Sequence, residues 1–257
     1  MINKFVPSLE AAMAGIQDGA TILLGGFADV GIPRALLHGL IEQGASNLTI
    51  VAVAGGRDDS ANARLLELGR VRRLICTFVR PASIAARLFQ RGELALEIVP
   101  QGTLAERMRA AGAGIEAFYT PTGADTLLAE GRETREINGK LCLLEYPLRG
   151  DVALIEAWRA DRWGNLVYRE TQQNFNPVMA MAARLTIAQT YHTAELGELD
   201  PGAVQTPGVF VDRVVHVPPG SVPQANVGHG NDPERSAPEI TPPGAAAGAS
   251  AGATAHG

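Results

Sequence analysis

Glycine residues follow three of the β-strands that the apolar runs of this 257-residue chain predict. The strands are predicted at 21–24, 48–53 and 95–99, and the residues that follow them are Gly25 and Gly26, Gly55 and Gly56, and Gly102. Glycine leaves backbone N–H groups open to a ligand, and a helix N-terminus adds a partial positive charge. Because the carboxyl ends of parallel strands meet at one edge of a sheet, these turns predict a ligand-binding site there. Tight turns that use glycine only for its positive φ angles are the alternative.

The first turn carries the most specific pattern. Residues 25–33 read GGFADVGIP, and Pro33 stands where a helix should begin, since its missing N–H removes no hydrogen bond there. The turn lacks the Gly-Lys-Ser/Thr of a Walker loop and the Gly-x-Gly-x-x-Gly of a dinucleotide-binding turn. The candidate ligand contacts in this turn are Gly25, Gly26, Phe27 and Gly31.

Strands and helices alternate through the first half of the chain. Helices are predicted at 33–43, 60–68, 82–90 and 104–111, between strands at 21–24, 48–53, 74–78 and 95–99. Repeated βα units of this length imply right-handed crossovers and an α/β fold, a largely parallel sheet with helices on both faces.

After about residue 130, the sequence predicts antiparallel hairpins in place of the alternating strands and helices. Asn138-Gly139 predicts an antiparallel hairpin between 134–137 and 141–145. A second turn at 163–165 separates strands at 152–158 and 166–169, and a helix is predicted at 177–183. The parallel sheet therefore carries added antiparallel hairpin elements.

The composition excludes several classes of protein. A formal net charge of −5 argues against nucleic acid as the main partner, because phosphate neutralisation needs clustered Lys and Arg. The short basic run at 70–73 is predicted to be a solvated helix end. Residues 1–17 show an amphipathic helical pattern without the apolar core of a signal peptide, and no apolar run approaches the roughly 20 residues of a membrane span. We expect a cytoplasmic protein with no membrane partner.

The residues that bind metals or form disulfides are sparse. Cys76 and Cys142 each lie in an apolar run, which favours buried free thiols in a reducing compartment. No pair among the five histidines has metal-ligand spacing. The sequence therefore predicts no metal site and no permanently bound cofactor.

One domain is predicted at 1–217, followed by a tail at 218–257. The tail holds seven of the sixteen prolines, seven glycines, nine alanines and no aromatic residue. Such a segment cannot bury enough apolar surface to offset chain entropy, so we expect a disordered Pro/Gly/Ala-rich tail.

Several segments together resemble the A, or small, subunit of the family I coenzyme A transferases. The resemblance runs from about residue 4 to 217 and includes the glycine pattern at 25–33, PQGTLAER at 100–107 and ETREING at 133–139. DRWGNL at 161–166 and ELGELDP at 195–201 look most like the 3-oxoadipate branch, which acts in aromatic compound degradation. The glycine turns named above then become candidate contacts for CoA and substrate.

The resemblance implies a covalent mechanism shared between two chains. In this family a glutamate carried by the large, or B, subunit reacts with an acyl-CoA thioester, and a glutamyl-CoA thioester follows. This chain contains no Glu followed by Asn-Gly or by a Gly-x-x-Gly turn. The implied assembly is an A2B2 hetero-oligomer with the CoA-transferase B subunit. The implied substrates are a CoA thioester such as succinyl-CoA and a 3-oxoacid such as 3-oxoadipate.

Gln101 matches the family residue that donates a hydrogen bond to the thioester oxygen as it becomes negative. A helix-capping amide is the alternative role for Gln101. The chain also departs from the family pattern, because Val53 and Ala54 stand where two asparagines are usual, and Ala124-Asp125 replaces Tyr-Gly. These changes leave the identity of the acid open.

Two other functions remain open at this level. One is a small-molecule sensor of the same superfamily fold, although the sequence shows no helix-turn-helix or basic recognition helix. The other is a chain that stabilises its partner and has lost its own site residues.

Overall fold

A computed structural model describes residues 2–56 and 60–221 of the chain. The strands are β1 (Thr21–Leu24), β2 (Leu48–Val51), β3 (Val71–Cys76), β4 (Ala95–Ile98), β5 (Phe118–Thr120), β6 (Thr134–Ile137), β7 (Lys140–Glu145), β8 (Gly150–Asp161), β9 (Leu166–Val167), β10 (Ala183–Ala194) and β11 (Arg213–His216). The helices are α1 (Leu9–Met13), α2 (Arg34–Gln43), α3 (Ala61–Glu67), α4 (Ile84–Gln90), α5 (Gln101–Ala113) and α6 (Asn176–Ala182).

The order in which the chain adds strands to the main sheet reverses at β1. Its strand order is β11-β10-β8-β1-β2-β3-β4, all parallel, with β9 antiparallel to β8. The chain builds outward from β1 to β4 and later adds β8, β10 and β11 on the other side of β1. In open parallel sheets, ligands bind outside the carboxyl ends of the strands at such a reversal. The topology therefore places the favoured binding position where β1 ends.

Helices cover both faces of this sheet, as predicted. One face packs against α1 to α4 through side chains that include Met13, Leu36 and Leu65. The other face packs against α5 and α6 through side chains that include Met108 and Met179. The small sheet, in the order β5-β7-β6, contains the hairpin predicted at Asn138-Gly139.

The basic run at 70–73 is solvated at Arg72 and Arg73, as predicted, but the prediction that it is a helix end is wrong. β3 begins at Val71, and Arg72 and Arg73 are part of the strand. Their side chains are exposed, and Arg73 bonds Glu97 of the neighbouring β4 at 2.5 Å. A carboxylate on the adjacent strand therefore stabilises a basic residue where a helix end was expected.

The predicted helical pattern of residues 1–17 is also wrong over most of its length. Of the described residues 2–17, only Leu9–Met13 is helical, and the Ser8 hydroxyl caps its first turn. Phe5 instead forms a parallel bridge with Val214, which extends the sheet beyond β11. Pairing with a strand two hundred residues away outweighs the local helical pattern.

The structure bears on the predictions about membrane spans and the C-terminal tail only within the described residues. Among the described helices, none combines the length and apolar character that a bilayer crossing requires. Residues 222–257, most of the predicted tail, lie outside the described residues.

Candidate active site

The turn after β1, residues 25–33, is held in one conformation by backbone bonds and glycine geometry. Gly25 N–H donates to the Leu154 carbonyl of β8 at 2.9 Å, and Phe27 and Val30 exchange two backbone hydrogen bonds of 3.0 Å. Gly26 has φ +106°, and a Cβ there would lie 2.5 Å from Ile32 Cγ1. Glycine is therefore required at position 26 on both grounds. We call this segment the glycine turn.

A buried amide fastens the glycine turn from behind. Asn176, at the start of α6, is fully buried. Its Oδ1 accepts from Glu156 N–H at 3.1 Å, and its Nδ2 donates to the carbonyls of Gly31 (3.1 Å) and Gln172 (2.8 Å). A Cβ added to Gly25 would stand 1.9 Å from the same Oδ1. Glycine at 25 thus leaves the space that this amide occupies.

A buried carboxylate lies beside the amide. Glu156, on β8, is 2% exposed and accepts hydrogen bonds from Gln172 Nε2 (3.0 Å), Gln189 Nε2 (2.8 Å) and the Tyr191 hydroxyl (2.9 Å). The other end of the Gln189 amide, Oε1, accepts from Ala35 N–H at the first turn of α2. The network therefore links β8, β10 and the helix that follows the glycine turn.

Burial raises the pKa of Glu156 to about 7, although its three donors and the charge of Arg34 oppose the rise. Burial and the Glu156 carboxylate raise the pKa of Tyr191, so its hydroxyl remains a donor at neutral pH. The carboxylate points into this network behind the turn, where it braces the backbone.

On the outer side of the glycine turn lies a small cavity of about 110 Å³, which we call the edge cavity. The ends of β1, β2 and β3 form its walls, with Val53 and Ala54 beside Phe78 and Arg80. Phe27 and Phe78 are 42% and 45% exposed. The walls are thus mainly apolar, as expected for a pocket that binds the carbon chain of a small molecule.

Several predicted site residues meet at this cavity. Those that line it are Gly25, Gly26, Phe27 and Gly56. Gly55 is adjacent, donating its N–H to the Phe78 carbonyl at 3.1 Å, and a Cβ there would face Val79 and Ala85 of the interior. Gly31 packs against Asn176 instead of the cavity.

Gln101 and Gly102 lie elsewhere on the same edge of the sheet. They begin α5 directly after the end of β4, and the edge cavity does not include them. Pro100 is the N-cap of α5 and no side chain caps it. Gln101 is exposed, and its amide makes no hydrogen bond within the described residues.

Candidate nucleophiles and metal ligands are scarce here. Among the described residues that line the edge cavity, Asp29 is the one acid, 3.9 Å from Arg34. Cys76 and Cys142 are buried free thiols, and burial raises the pKa of Cys76 to about 11. No group of His, Cys, Asp or Glu in the described part of the chain has the arrangement of a metal site.

Sequence reasoning missed the polar residues behind the turn and the cation beside it. Glu156 interrupts the apolar strand predicted at 152–158, and an acid inside a buried strand was the available signal. Gln189 gave no signal, because β10 was not predicted. Arg80 follows a predicted strand, where it was not distinguished from other surface arginines.

Comparisons with known proteins place this geometry in one family. A family model described as coenzyme A transferase matches residues 6–217. The A subunit of the 3-oxoadipate CoA-transferase of Pseudomonas putida is 52% identical over 219 residues, covering 84% of this chain and 95% of its own length. The A subunit of the succinyl-CoA:3-ketoacid coenzyme A transferase of Xanthomonas campestris pv. campestris (strain B100) is 49% identical over 207 residues, covering 80% and 86%.

Solved structures show the same fold. The glutaconate coenzyme A-transferase of Acidaminococcus fermentans matches with a TM-score of 0.74 at 23% identity, over 86% of this chain and 77% of that chain. A variant of the decarboxylase AibA/AibB matches with a TM-score of 0.72 at 31% identity, over 86% of each chain.

The amide behind the turn predicts the effect of Gly25→Ala. The added methyl group must displace Asn176 and leave buried polar atoms unpaired, so we expect a loss of about 2–4 kcal/mol in the free energy of unfolding. The melting temperature should fall by roughly 5–10 °C. Gly102→Ala is the matched control, because its Cβ meets nothing within 4 Å and alanine favours the helix. Equal melting temperatures for the two variants would contradict this account.

The raised pKa of Glu156 predicts a pH dependence of stability. A folded pKa of about 7, above the ordinary 4.5, means that the folded state holds the proton more tightly. The stabilising contribution is fully present below pH 4.5 and is lost as the pH rises through about 7. Between those values the free energy of unfolding of the wild type should fall by roughly 3 kcal/mol relative to Glu156→Gln. Urea denaturation across this pH range measures the difference, and parallel curves for the two proteins would refute it.

Proposed function

This chain belongs to the coenzyme A transferase family, and we propose that it is the A subunit of a two-chain enzyme that transfers CoA from succinyl-CoA to a 3-oxoacid. Support comes from relatives named as the A subunits of a 3-oxoadipate CoA-transferase and of a succinyl-CoA:3-ketoacid coenzyme A transferase, which are 52% and 49% identical over 95% and 86% of their own length. The 3-oxoacid of the more similar relative, 3-oxoadipate, is the acceptor that we propose first. With that acceptor, we propose that the enzyme acts in the degradation of aromatic compounds, and we propose the cytoplasm as its location.

The observation that carries the proposal is an edge site whose described lining contains no glutamate. That lining contains one acid, Asp29, beside Arg34, while the carboxylate of Glu156 is buried behind the turn. Acyl transfer through a covalent intermediate needs an accessible nucleophile. We infer that a B subunit supplies a glutamate to this edge, in an assembly that we take to be A2B2.

The chemistry then proceeds in two balanced half-reactions. The partner's glutamate attacks the thioester carbonyl, the C–S bond breaks, and a mixed anhydride and CoA thiolate form. The thiolate attacks the glutamyl carbonyl, which releases the first acid as a carboxylate and leaves a glutamyl-CoA thioester. A second carboxylate reverses these steps, so that its own thioester forms and the glutamate is regenerated.

This chain contributes an oxyanion donor and a fixed wall. The exposed amide of Gln101 stands at the N-terminus of α5, on the same edge of the sheet as the cavity, and we propose that its N–H donates to the carbonyl oxygen as negative charge develops. The glycine turn presents backbone at the end of β1, and the buried network behind it keeps that backbone in place.

The requirement for a second chain is directly testable. The chain purified alone should show no CoA transfer, and co-expression with the CoA-transferase B subunit from the same genome should give turnover from succinyl-CoA to 3-oxoadipate. The measurement is thioester exchange followed by chromatography of the CoA products. Turnover by the single chain, with no partner detected by mass spectrometry, would contradict the proposal.

Gln101→Ala should lower kcat by roughly 100-fold in the complex, with assembly and KM for the acyl-CoA little changed. A lower kcat without a loss of binding is the signature of an interaction made mainly in the transition state. Arg109→Ala, on an exposed position of the same helix, is the control. Wild-type rates for Gln101→Ala would remove the residue from the mechanism and favour a chain that only stabilises its partner.

A further inference from the structure

A cation without a counter-charge among the described residues stands at the edge cavity. Arg80 is exposed to it, and its guanidinium makes no ion pair or hydrogen bond within the described residues. Asp29, the acid of the described lining, is instead within 3.9 Å of Arg34. The wall around the cavity thus carries a positive charge that no described side chain balances.

Backbone pairing fixes the segment that carries this arginine. Thr77 donates its N–H (2.9 Å) and its hydroxyl (2.7 Å) to the Val53 carbonyl, and Gly55 N–H donates to the Phe78 carbonyl. Arg80 follows two residues later, and its carbonyl accepts from Ser83 N–H at the start of α4. The backbone under the guanidinium is therefore held beside the end of β2.

The remaining lining of the cavity is mainly apolar, and its other polar side chains are Asp29, Ser60 and Asn62. Its apolar side chains include Val53, Ala54 and the partly exposed rings of Phe27 and Phe78. The planar fork of arginine matches a carboxylate in two parallel hydrogen bonds. A dicarboxylic acid matches both features of the edge cavity. Its methylene groups suit the apolar lining, and the carboxylate that does not react suits Arg80.

We propose that Arg80 binds the unreacting carboxylate of a dicarboxylic acid, which makes the enzyme selective for dicarboxylic over monocarboxylic acyl groups. The inference rests on the proposed CoA-transfer function. Val53 and Ala54 contact the methylene groups between the two carboxyl groups. Since donor and acceptor occupy the same site in turn, one arginine serves a succinyl donor and a dicarboxylic 3-oxoacid alike.

The test compares two acceptors in the complex with the B subunit. In a two-step exchange, kcat/KM for the acceptor reports only the half-reaction in which that acid takes part. Arg80→Gln should lower kcat/KM for 3-oxoadipate by roughly 10- to 100-fold and change that for acetoacetate less than about threefold. Arg80→Lys, which keeps the charge without the fork, should fall between the wild type and Arg80→Gln. Arg91→Gln, at an exposed ion pair outside the cavity, is the matched control.

A binding measurement separates this inference from the proposed function. Calorimetry on the complex should show that adipate binds the wild type more tightly than hexanoate does, and that Arg80→Gln removes the difference. Turnover with equal losses for both acceptors, or with none, would overturn the role of Arg80 and leave CoA transfer intact. No turnover in the wild type, together with adipate binding that depends on Arg80, would overturn CoA transfer and leave the arginine site intact.

Discussion

The hydrogen bonds of one buried amide hold the functional edge of this protein together. Asn176 joins the backbone of β8 to the glycine turn after β1, across the point where the sheet reverses its direction. An unpaired amide in such a place costs about 1–3 kcal/mol, so each of its partners depends on the others. Because Gly25 has no side chain, Asn176 can pack against the glycine turn. The glycine pattern is visible in the sequence, whereas the buried polar residues that depend on it are not.

The network around Glu156 extends the same constraint to the helices. Gln189 joins that carboxylate to the first turn of α2, so hydrogen bonds link the helix after the glycine turn to the strands β8 and β10. Buried polar groups of this kind are costly unless they are all satisfied, and here each has a partner. A rigid edge of this type suits a chain that supplies a wall of a site and receives its nucleophile from elsewhere.

Local patterns predicted much of the fold but little of what lies behind the site. The βα alternation and the Asn138-Gly139 hairpin follow from turn chemistry and short-range periodicity, and the structure confirms them. Phe5 was misassigned because its partner, Val214, is two hundred residues away. The roles of Asn176 and Gln189 depend on contacts between distant segments of the chain. The periodicity of the sequence does not predict such contacts. Arg80 became distinctive only through its place beside the cavity, with no counter-charge among the described residues.

We propose that this chain forms one wall of the site and that its partner carries the covalent intermediate. Treatment of the assembled complex with succinyl-CoA and then sodium borohydride, which reduces a glutamyl thioester to an alcohol, records where that intermediate forms. Peptide mapping by mass spectrometry should find every glutamate of this chain unmodified and one reduced glutamate in the B subunit. A reduced glutamate in this chain, or no modification in a complex that turns over, would contradict the account.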